Sequence, residues 1–261
     1  MQQKKFTIVT NKADESIAVA NNLLDKLLAL KMIFDEQNPE IVFAIGGDGT
    51  FLSAVNRFNE NIDNIHFITI NRGNIGFNAL YQVNEIDKLI TNLKNNILKT
   101  KSLDALKITI NNKIFYSLNE IKLMSIAKTI FFTVYINNQL LQNCQSSGFV
   151  LTTKTGSTGY TKSINGAVIL SEKNLMEFLE IAPVFHNKHN SLKAPLILDN
   201  THTVTIKGNM KDSFLVIDSQ KHDFNSDNLI INLIANKIKI LVTDVNDLIM
   251  INQIQKIFIH N

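Results

Sequence analysis

Apolar residues in the first hundred positions recur at two alternating spacings, one typical of buried strands and one typical of amphipathic helices. Short apolar runs such as Ile41–Ile45 are typical of strands that are buried on both faces. Residues 15–32 instead carry apolar side chains at three- and four-residue steps, as amphipathic helices do. The predicted order is a strand at 5–10, a helix at 15–32, a strand at 41–45, a helix at 51–58, a strand at 65–70 and a helix at 85–96. Strands that alternate with helices predict a parallel sheet with right-handed crossovers.

The pattern changes near residue 100, where apolar and polar residues begin to alternate with a period of two. The alternating apolar positions are Leu106, Ile108, Ile110, Ile114, Tyr116, Leu118, Val204, Ile206, Ile238, Ile240 and Val242. With turn residues such as Asn111-Asn112 and Asn137-Asn138 between them, they indicate antiparallel β structure. We therefore predict an α/β fold with a doubly wound α/β domain at 1–100 and an all-β, sandwich-like domain at 101–247. The apolar tail at 248–261 is expected to pack back on the first domain.

The central strand runs directly into a glycine-rich loop, Gly46-Gly47-Asp48-Gly49-Thr50, which we call the glycine loop. Three glycines allow a sharp turn and the close approach of a ligand. Thr50 is expected near a helix N-terminus, where free N–H groups and the helix dipole favour a phosphate. A carboxylate in such a loop, Asp48, suggests chemistry or a bridging metal. The alternative is a strand–turn–helix junction in which Asp48 is only an N-cap.

A second glycine-bearing loop, residues 71–77, follows the next predicted strand and is called here the second glycine loop. Ligands of parallel α/β sheets bind outside the carboxyl ends of the strands. Both loops are expected at that edge of the sheet.

Two polar clusters interrupt the β-rich half of the chain. The threonine loop, residues 152–160, combines hydroxyls, glycines and Tyr160, which suit the recognition of a nucleoside. The pair Asn119-Glu120 could read a base edge through the amide and accept hydrogen bonds from ribose hydroxyls through the carboxylate. The alternatives are an ordinary Ser/Thr loop and a β-turn, respectively.

Composition narrows the class of protein. The chain has 261 residues, of which 45% are hydrophobic and 19% charged, with a net charge of +3, so it is expected to fold without a nucleic-acid-binding stripe. The single Cys144 excludes an internal disulfide and a cysteine-based metal cage. No apolar run approaches the ~20 residues of a membrane span, and a cytoplasmic protein is the expectation. His186 and His189 lack a third metal ligand and are expected to be polar surface residues.

The motifs together resemble the NAD kinase family. They are the glycine loop, Asn71-x-Gly73-x-x-Gly76-Phe77, Asn119-Glu120 and Thr153-x-Thr155-Gly156-Ser157-Thr158-x-Tyr160, in the order and spacing of that family. The resemblance implies phosphoryl transfer from ATP, or polyphosphate, to the adenosine-ribose 2′-hydroxyl of NAD, with Mg²⁺ accompanying ATP. It also implies a homodimer or homotetramer, and no nucleic-acid or membrane partner is expected.

The resemblance further implies roles for individual residues. Asp48 matches the general base, Gly46, Gly47 and Gly49 the donor-phosphate cradle, and Asn119 and Glu120 the residues that hold adenine and ribose. The other implied binding positions are Thr50, Asn71, Arg72, Phe77, Ser147, Thr155, Ser157, Thr158, Gly159, Tyr160, Ser163, Ala182 and Gln220.

The chain departs from the family pattern at several positions. Ser147 stands where the family has an Asp that contacts the nicotinamide end, and Lys154 stands where it has Pro. Gly159 replaces a common Ala, Ser219 replaces the Gly of Asp-Gly-Gln, and Arg72 occupies a frequent Thr position. These departures bear on dinucleotide affinity and leave Asp48 untouched. Two other functions are considered, a lipid kinase that shares the glycine loop and a non-catalytic dinucleotide sensor.

Overall fold

The computed structural model describes residues 4–72, 76–78, 80–184, 191–210, 213–222, 224–244 and 250–259. The chain forms two compact units: unit 1 comprises residues 1–102 and 238–261, and unit 2 comprises residues 103–237. The boundaries fall within two long strands, Lys99–Ile110 and Asn228–Val242.

Unit 1 is a parallel α/β structure, as the alternating pattern predicts. Its strands are β1 (Lys5–Thr10), β2 (Ile33–Phe34), β3 (Ile41–Ile45), β4 (His66–Asn71) and β5 (Tyr81–Gln82). Its first three helices are α1 (Asp14–Ala29), α2 (Asp48–Arg57) and α3 (Ile86–Lys94), with 3₁₀ turns at Asn59–Asn64 and Val83–Glu85. The strand order is β2-β1-β3-β4, and every pair in it is parallel.

The sheet of unit 1 is covered on both faces. Side chains of β1, β3 and β4 share one core cluster with Leu23 and Leu27 of α1 and Leu89 of α3. On β4, Phe67 contacts Phe51 of α2, with ring centroids 5.6 Å apart.

Since the chain moves outward from β1 to β2 and then returns to β3, the strand order reverses between β1 and β3. Such a reversal is where ligands of doubly wound sheets bind.

Unit 2 is an antiparallel β-sandwich, which confirms the predicted all-β character. Its strands are β6 (Lys99–Ile110), β7 (Lys113–Ser117), β8 (Glu120–Met124), β9 (Ile130–Ile136), β10 (Gln139–Ser146), β11 (Gly148–Thr153), β12 (Leu175–Ile181), β13 (Leu196–Asp199), β14 (Thr203–Lys207), β15 (Phe214–Ile217), β16 (Gln220–His222) and β17 (Asn228–Val242). One sheet has the order β10-β9-β14-β17, with β6 pairing β17 and β7; the other has the order β13-β12-β11-β8-β15-β16. Apolar side chains of both sheets form one core cluster.

Local turn chemistry explains several connections. Asn111-Asn112 and Asn137-Asn138 have φ values of 46° and 65°, and 50° and 64°, as tight two-residue hairpins require. The first predicted helix ends at Ala29, short of residue 32, because Lys31 adopts a φ of 61° and the chain enters β2.

Two details of the period-two pattern differ from the prediction. The last part of β17, which carries Ile240, pairs parallel with β4 of unit 1 instead of antiparallel. A period of two reports which side chains are buried and carries no information on the direction of the neighbouring strand. Ile114 is 47% exposed although it follows the apolar alternation.

A short helix, α4 (Tyr160–Ser163), lies in unit 2. The C-terminal residues of unit 1 form another short helix, α5 (Met250–Ile254), and a π-helical turn, Gln255–Ile259. The Phe258 ring lies against Phe77 of the second glycine loop, with centroids 5.6 Å apart. His186 and His189 lie outside the described residues. In the part of the chain that is described, no helix is long and apolar enough to cross a membrane.

Candidate active site

The glycine loop connects β3 to α2 in a tightly packed turn. Gly46 has a φ of +153°, and a Cβ there would lie 2.2 Å from Thr50 Oγ1, so only glycine fits. Gly47 is the N-cap of α2, and Gly47 and Gly49 are exposed, with open space around their Cα atoms among the described residues. The N–H groups of the first turn of a helix lack intrahelical acceptors. The N–H groups at the start of α2 are therefore placed to donate to an anion at a helix N-terminus.

The Asp48 carboxylate is held by the second glycine loop. Its Oδ2 accepts a hydrogen bond from Phe77 N at 2.9 Å, and its Oδ1 accepts one from Asn78 N at 3.0 Å. A Cβ on Gly76 would lie 2.8 Å from Asp48 Oδ1, so the second loop needs glycine to approach the carboxylate. The proposal that Asp48 is only an N-cap is wrong, because Gly47 occupies that position and Asp48 bonds outside its helix.

The residues directly after the second glycine loop are hydrogen-bonded to β4. Thr69 Oγ1 donates to Asn78 O and accepts from Leu80 N at 3.2 Å. Asn71, at the end of β4, is buried, and the Arg72 guanidinium forms an ion pair with the Glu15 carboxylate of α1. Gly73, also part of the sequence motif, lies outside the described residues.

In unit 2, the Asp218 carboxylate shapes the turn that carries Asn119 and Glu120. Oδ1 accepts from Ser117 Oγ at 2.7 Å, Asn119 N at 2.8 Å and Glu120 N at 3.1 Å, and Oδ2 accepts from Leu118 N at 2.7 Å. Asp218 is 1% exposed. Burial, with a smaller contribution from the nearby Glu120 charge, raises the pKa of the Asp218 carboxyl to about 6 against these hydrogen bonds.

The threonine loop is anchored to the same turn. Thr153 Oγ1 donates to Leu118 O at 2.6 Å, and Thr152 Oγ1 donates to Asn119 O at 3.0 Å. A Cβ on Gly156 would lie 2.4 Å from Asn119 O, so glycine is required where the two segments touch. The two polar clusters predicted from the sequence therefore form one structure.

Not every hydroxyl of the threonine loop faces outward. Ser157 is fully buried, and its Oγ donates to Lys154 O at 2.7 Å and accepts from Ile169 N at 3.0 Å. Thr158 is also buried, and its Oγ1 donates to Thr155 O at 3.4 Å. These side chains hold the loop in shape.

The sequence-predicted residues thus fall into two groups, one in each unit. Residues of both groups differ in exposure. The exposed residues are Gly47, Gly49, Arg72, Gly159, Ser163 and Ala182; the half-buried residues are Asp48, Phe77, Asn119, Ser147, Thr155, Tyr160 and Gln220; the buried residues are Gly46, Thr50, Asn71, Glu120, Ser157 and Thr158. Ser147 N donates to Ile181 O at 2.9 Å, which places Ser147 beside Ala182. Ala182 in turn lines a cavity of about 580 Å³ in unit 2.

Sequence reasoning missed the role of Asp218. The available signal was an acidic residue directly after the apolar strand Phe214–Ile217, at the tip of a hairpin. The described residues include no group of three His, Cys, Asp or Glu side chains that could hold a metal ion.

The Asp218 pKa predicts a pH-dependent stability. Because the folded pKa of about 6 lies above the reference value of 3.8, this group's contribution is fully present below pH 3.8 and is lost as the pH rises through 6. We expect the free energy of unfolding of the wild type, relative to Asp218→Asn, to fall by about 1 kcal/mol between pH 5 and pH 7. Urea denaturation at the two pH values measures this difference, and a constant difference would contradict it.

Lys154 stands where the family that this chain resembles has a proline, and it forms a partly buried ion pair. Its Nζ lies 3.4 Å from Asp104 Oδ2 and donates to Lys173 O at 3.3 Å. Asp104 is 2% exposed, and its Oδ1 accepts from Asn236 N at 3.1 Å. The ion pair therefore ties the threonine loop to β6, and Asp104 in turn links β6 to β17.

We expect Lys154→Met to lower the free energy of unfolding by about 2 kcal/mol, because it leaves a buried carboxylate without its counter-charge. Urea denaturation measures the loss. In the Asp104→Asn background the same substitution should cost much less, because the charge to be compensated is gone. Equal losses in both backgrounds would show that the ion pair contributes nothing.

Comparison with known proteins places these motifs in a family. The model of the ATP-NAD kinase N-terminal domain matches residues 3–97, and that of the ATP-NAD kinase C-terminal domain matches residues 112–250. The NAD kinase of Latilactobacillus sakei is 32% identical over 218 residues, which cover 81% of this chain and 81% of that protein. The NAD kinase of Lactobacillus johnsonii is 31% identical over 227 residues, covering 85% and 84%.

Solved structures share the fold at lower identity. Yeast NADH kinase complexed with NADH superposes with a TM-score of 0.82 at 17% identity, over 99% of this chain and 89% of that chain. An NAD kinase from Archaeoglobus fulgidus in complex with ATP superposes with a TM-score of 0.74 at 18% identity, over 97% and 99%. Since both domain models and full-length relatives match across most of its length, this chain belongs to the NAD kinase family of phosphotransferases.

Proposed function

We propose that the protein transfers the terminal phosphoryl group of ATP to the adenosine-ribose 2′-hydroxyl of NAD and so makes NADP. The observation that carries the proposal is the Asp48 carboxylate at the start of α2, held by Phe77 N and Asn78 N beside the exposed N–H groups of the glycine loop. A loop built only to bind phosphate would gain nothing from a carboxylate. The family membership supplies the substrate class.

In this proposal the residues of the glycine loop bind the phosphate donor. Backbone N–H groups of Gly47 and Gly49 donate to phosphate oxygens, as helix N-termini do. Phosphoryl transfer passes through a loose transition state, so positioning and charge stabilisation supply most of the catalysis. Asp48 orients the attacking hydroxyl and accepts its proton late, when charge has moved onto the phosphoryl group.

The dinucleotide is assigned to the polar residues of unit 2. Glu120 accepts from ribose hydroxyls, the Asn119 amide reads the adenine edge, and Tyr160 stacks on a ring. Support comes from the way Asp218 and Thr153 fix this turn against the threonine loop. Ser147 and Ala182 are assigned to the nicotinamide end, because their backbones lie side by side.

Mg²⁺ is proposed to enter with ATP. It prefers oxygen ligands and is held in most kinases by phosphates with one or two carboxylates. Asp48 is the acidic side chain of the glycine loop, and both of its oxygens already accept a hydrogen bond. The chain would therefore contribute few ligands of its own.

We further propose a homodimer or homotetramer. Leu140 and Leu141, on the edge strand β10, are 54% and 40% exposed, and Leu192 is 51% exposed. Clustered exposed apolar residues of this kind are typical of protein–protein contacts. Light scattering coupled to size-exclusion chromatography measures the mass, and a monomer at micromolar concentration would contradict this proposal.

The decisive experiment is an assay of NADP formation from NAD with ATP and Mg²⁺, run beside direct titration of NAD binding. Turnover supports the kinase. Binding without turnover would favour a dinucleotide sensor, and the absence of NAD binding would overturn the assignment and bring back a lipid kinase. Replacing ATP with polyphosphate, and NAD with NADH, in the same assay defines the donor and acceptor.

A further inference from the structure

Strand β8 presents a row of two charged residues and a methionine on the face opposite the core. Ile121 and Leu123 are fully buried in the core of unit 2, so the alternation of a strand places Glu120, Lys122 and Met124 on the other face. β8 lies between β11 and β15, where Lys122 is opposite Val150 and Val216. Lysine is an unusual choice in the middle of a sheet with apolar neighbours, and its side chain is only 12% exposed.

The Lys122 ammonium contacts two of the residues assigned to the dinucleotide. Nζ lies 3.2 Å from Glu120 Oε1 and 4.1 Å from the centroid of the Tyr160 ring. At the other end of the ring, Tyr160 Oη donates to Met124 Sδ at 3.8 Å. Tyr160 therefore lies along the row formed by Lys122 and Met124.

Both contacts have a consequence for ligand binding. The Glu120 side chain is 6% exposed, and a carboxylate so buried requires a counter-charge, which Lys122 supplies. A cation over an aromatic face is attracted by the ring quadrupole and fixes the ring in place. Because Lys122 covers one face of Tyr160, a base can stack only on the opposite face.

We propose that Lys122 is a positioning residue for dinucleotide recognition, which holds Glu120 and Tyr160 in the arrangement that binds the adenosine half of NAD. This inference rests on the proposed function. It concerns affinity for the dinucleotide and assigns Lys122 no part in phosphoryl transfer. A purely structural ion pair would instead change stability without favouring one substrate over the other.

The test measures NAD binding by calorimetry and turnover by steady-state kinetics, each in the full-length protein. We expect Lys122→Met to raise both the Kd and the KM for NAD about tenfold, equivalent to about 1.4 kcal/mol. The KM for ATP and kcat should change less than about twofold, because ground-state binding of one substrate is affected. Lys122→Arg keeps a cation and should restore most of the affinity.

A double-mutant cycle distinguishes the contribution of the Lys122–Glu120 pair to NAD binding from a general effect of the substitution on folding. In the Glu120→Gln background, where the charge is absent, Lys122→Met should raise the Kd for NAD less than about threefold. Lys207→Met is the matched control, because Lys207 Nζ lies 5.1 Å from the centroid of the Tyr135 ring on the other sheet of unit 2. This control should leave NAD binding unchanged.

Several outcomes overturn the inference. They are wild-type affinity in Lys122→Met, an equal loss of ATP and NAD affinity, and full additivity with Glu120→Gln. Should Lys122→Met fail to fold, the double variant and Lys122→Arg decide between the same outcomes. If the wild type binds NAD without turnover, the proposed kinase fails and the binding data still judge Lys122; if the wild type does not bind NAD, both fail.

Discussion

Asp48→Asn is expected to lower kcat for NADP formation by about 10³-fold, within the range contributed by a positioned general base. The substitution removes the negative charge and the proton acceptor while keeping the side chain nearly the same size. NAD binding should persist, because the residues assigned to the dinucleotide in unit 2 are unchanged. Steady-state kinetics and calorimetric titration of NAD on the same preparation measure the two effects.

A control is needed because Asp48 also holds a loop. Asn can accept from only one of Phe77 N and Asn78 N, and its amide would face the other donor. Thr69→Val loosens the same loop from the other side, since it removes the contacts to Asn78 O and Leu80 N without touching Asp48. We expect Thr69→Val to lower kcat less than about tenfold, as loss of positioning without loss of the base. A loss as large as that of Asp48→Asn would make Asp48 a positioning residue.

Asp218→Ala is expected to lower the free energy of unfolding by about 3 kcal/mol. It removes the acceptor of Ser117 Oγ and of three consecutive backbone N–H groups, and buried donors without partners cost about 1–3 kcal/mol each. The variant also avoids the free-energy cost of burying the carboxyl group, and this offsets part of the loss in stability. The Kd for NAD should rise at least about tenfold, because the turn that carries Asn119 and Glu120 loses its support.

Urea denaturation and NAD titration at pH 7.5 measure both effects. Asp199→Ala is a suitable control, because Asp199 also accepts from a backbone N–H of a turn, that of Thr201, but this turn is exposed and connects two different sheets. It should cost less than about 1 kcal/mol, as exposed polar contacts do. Unchanged NAD affinity in a folded Asp218→Ala protein would show that the turn keeps its shape without the carboxylate.

The departures from the family pattern differ in their structural consequences. Lys154 forms an ion pair with buried Asp104, so the position of the family's proline is held by charge and not by a restricted φ. Ser219 adopts a φ of 67°, next to Asp218 at 44°, in the hairpin that carries the carboxylate. A glycine there would avoid the strain that a Cβ meets in the left-handed region. Neither departure alters the contacts of Asp48.

Much of the fold could be predicted because the burial of one face of a helix or strand requires apolar residues at a regular spacing in the sequence. Five consecutive apolar residues predict β3, and all of them are buried. The period of two predicts the strands of unit 2, and asparagine pairs mark their hairpins. The direction of the last part of β17 relative to its neighbour could not be predicted, because it depends on pairing with β4, a strand that is distant in the sequence.

By itself, the sequence determined the class of both domains, the loops that carry the polar residues and the family. Spacing was sufficient for this, because glycines and hydroxyls are required locally wherever the backbone turns sharply or bonds to itself. Only the tertiary structure decided what each charged side chain contacts. Asp48 is held by backbone N–H groups 29 and 30 residues away, and Asp218 binds a turn about 100 residues away. Such contacts join segments that are distant in the chain, and a buried charge leaves no periodic signal that would reveal its partner.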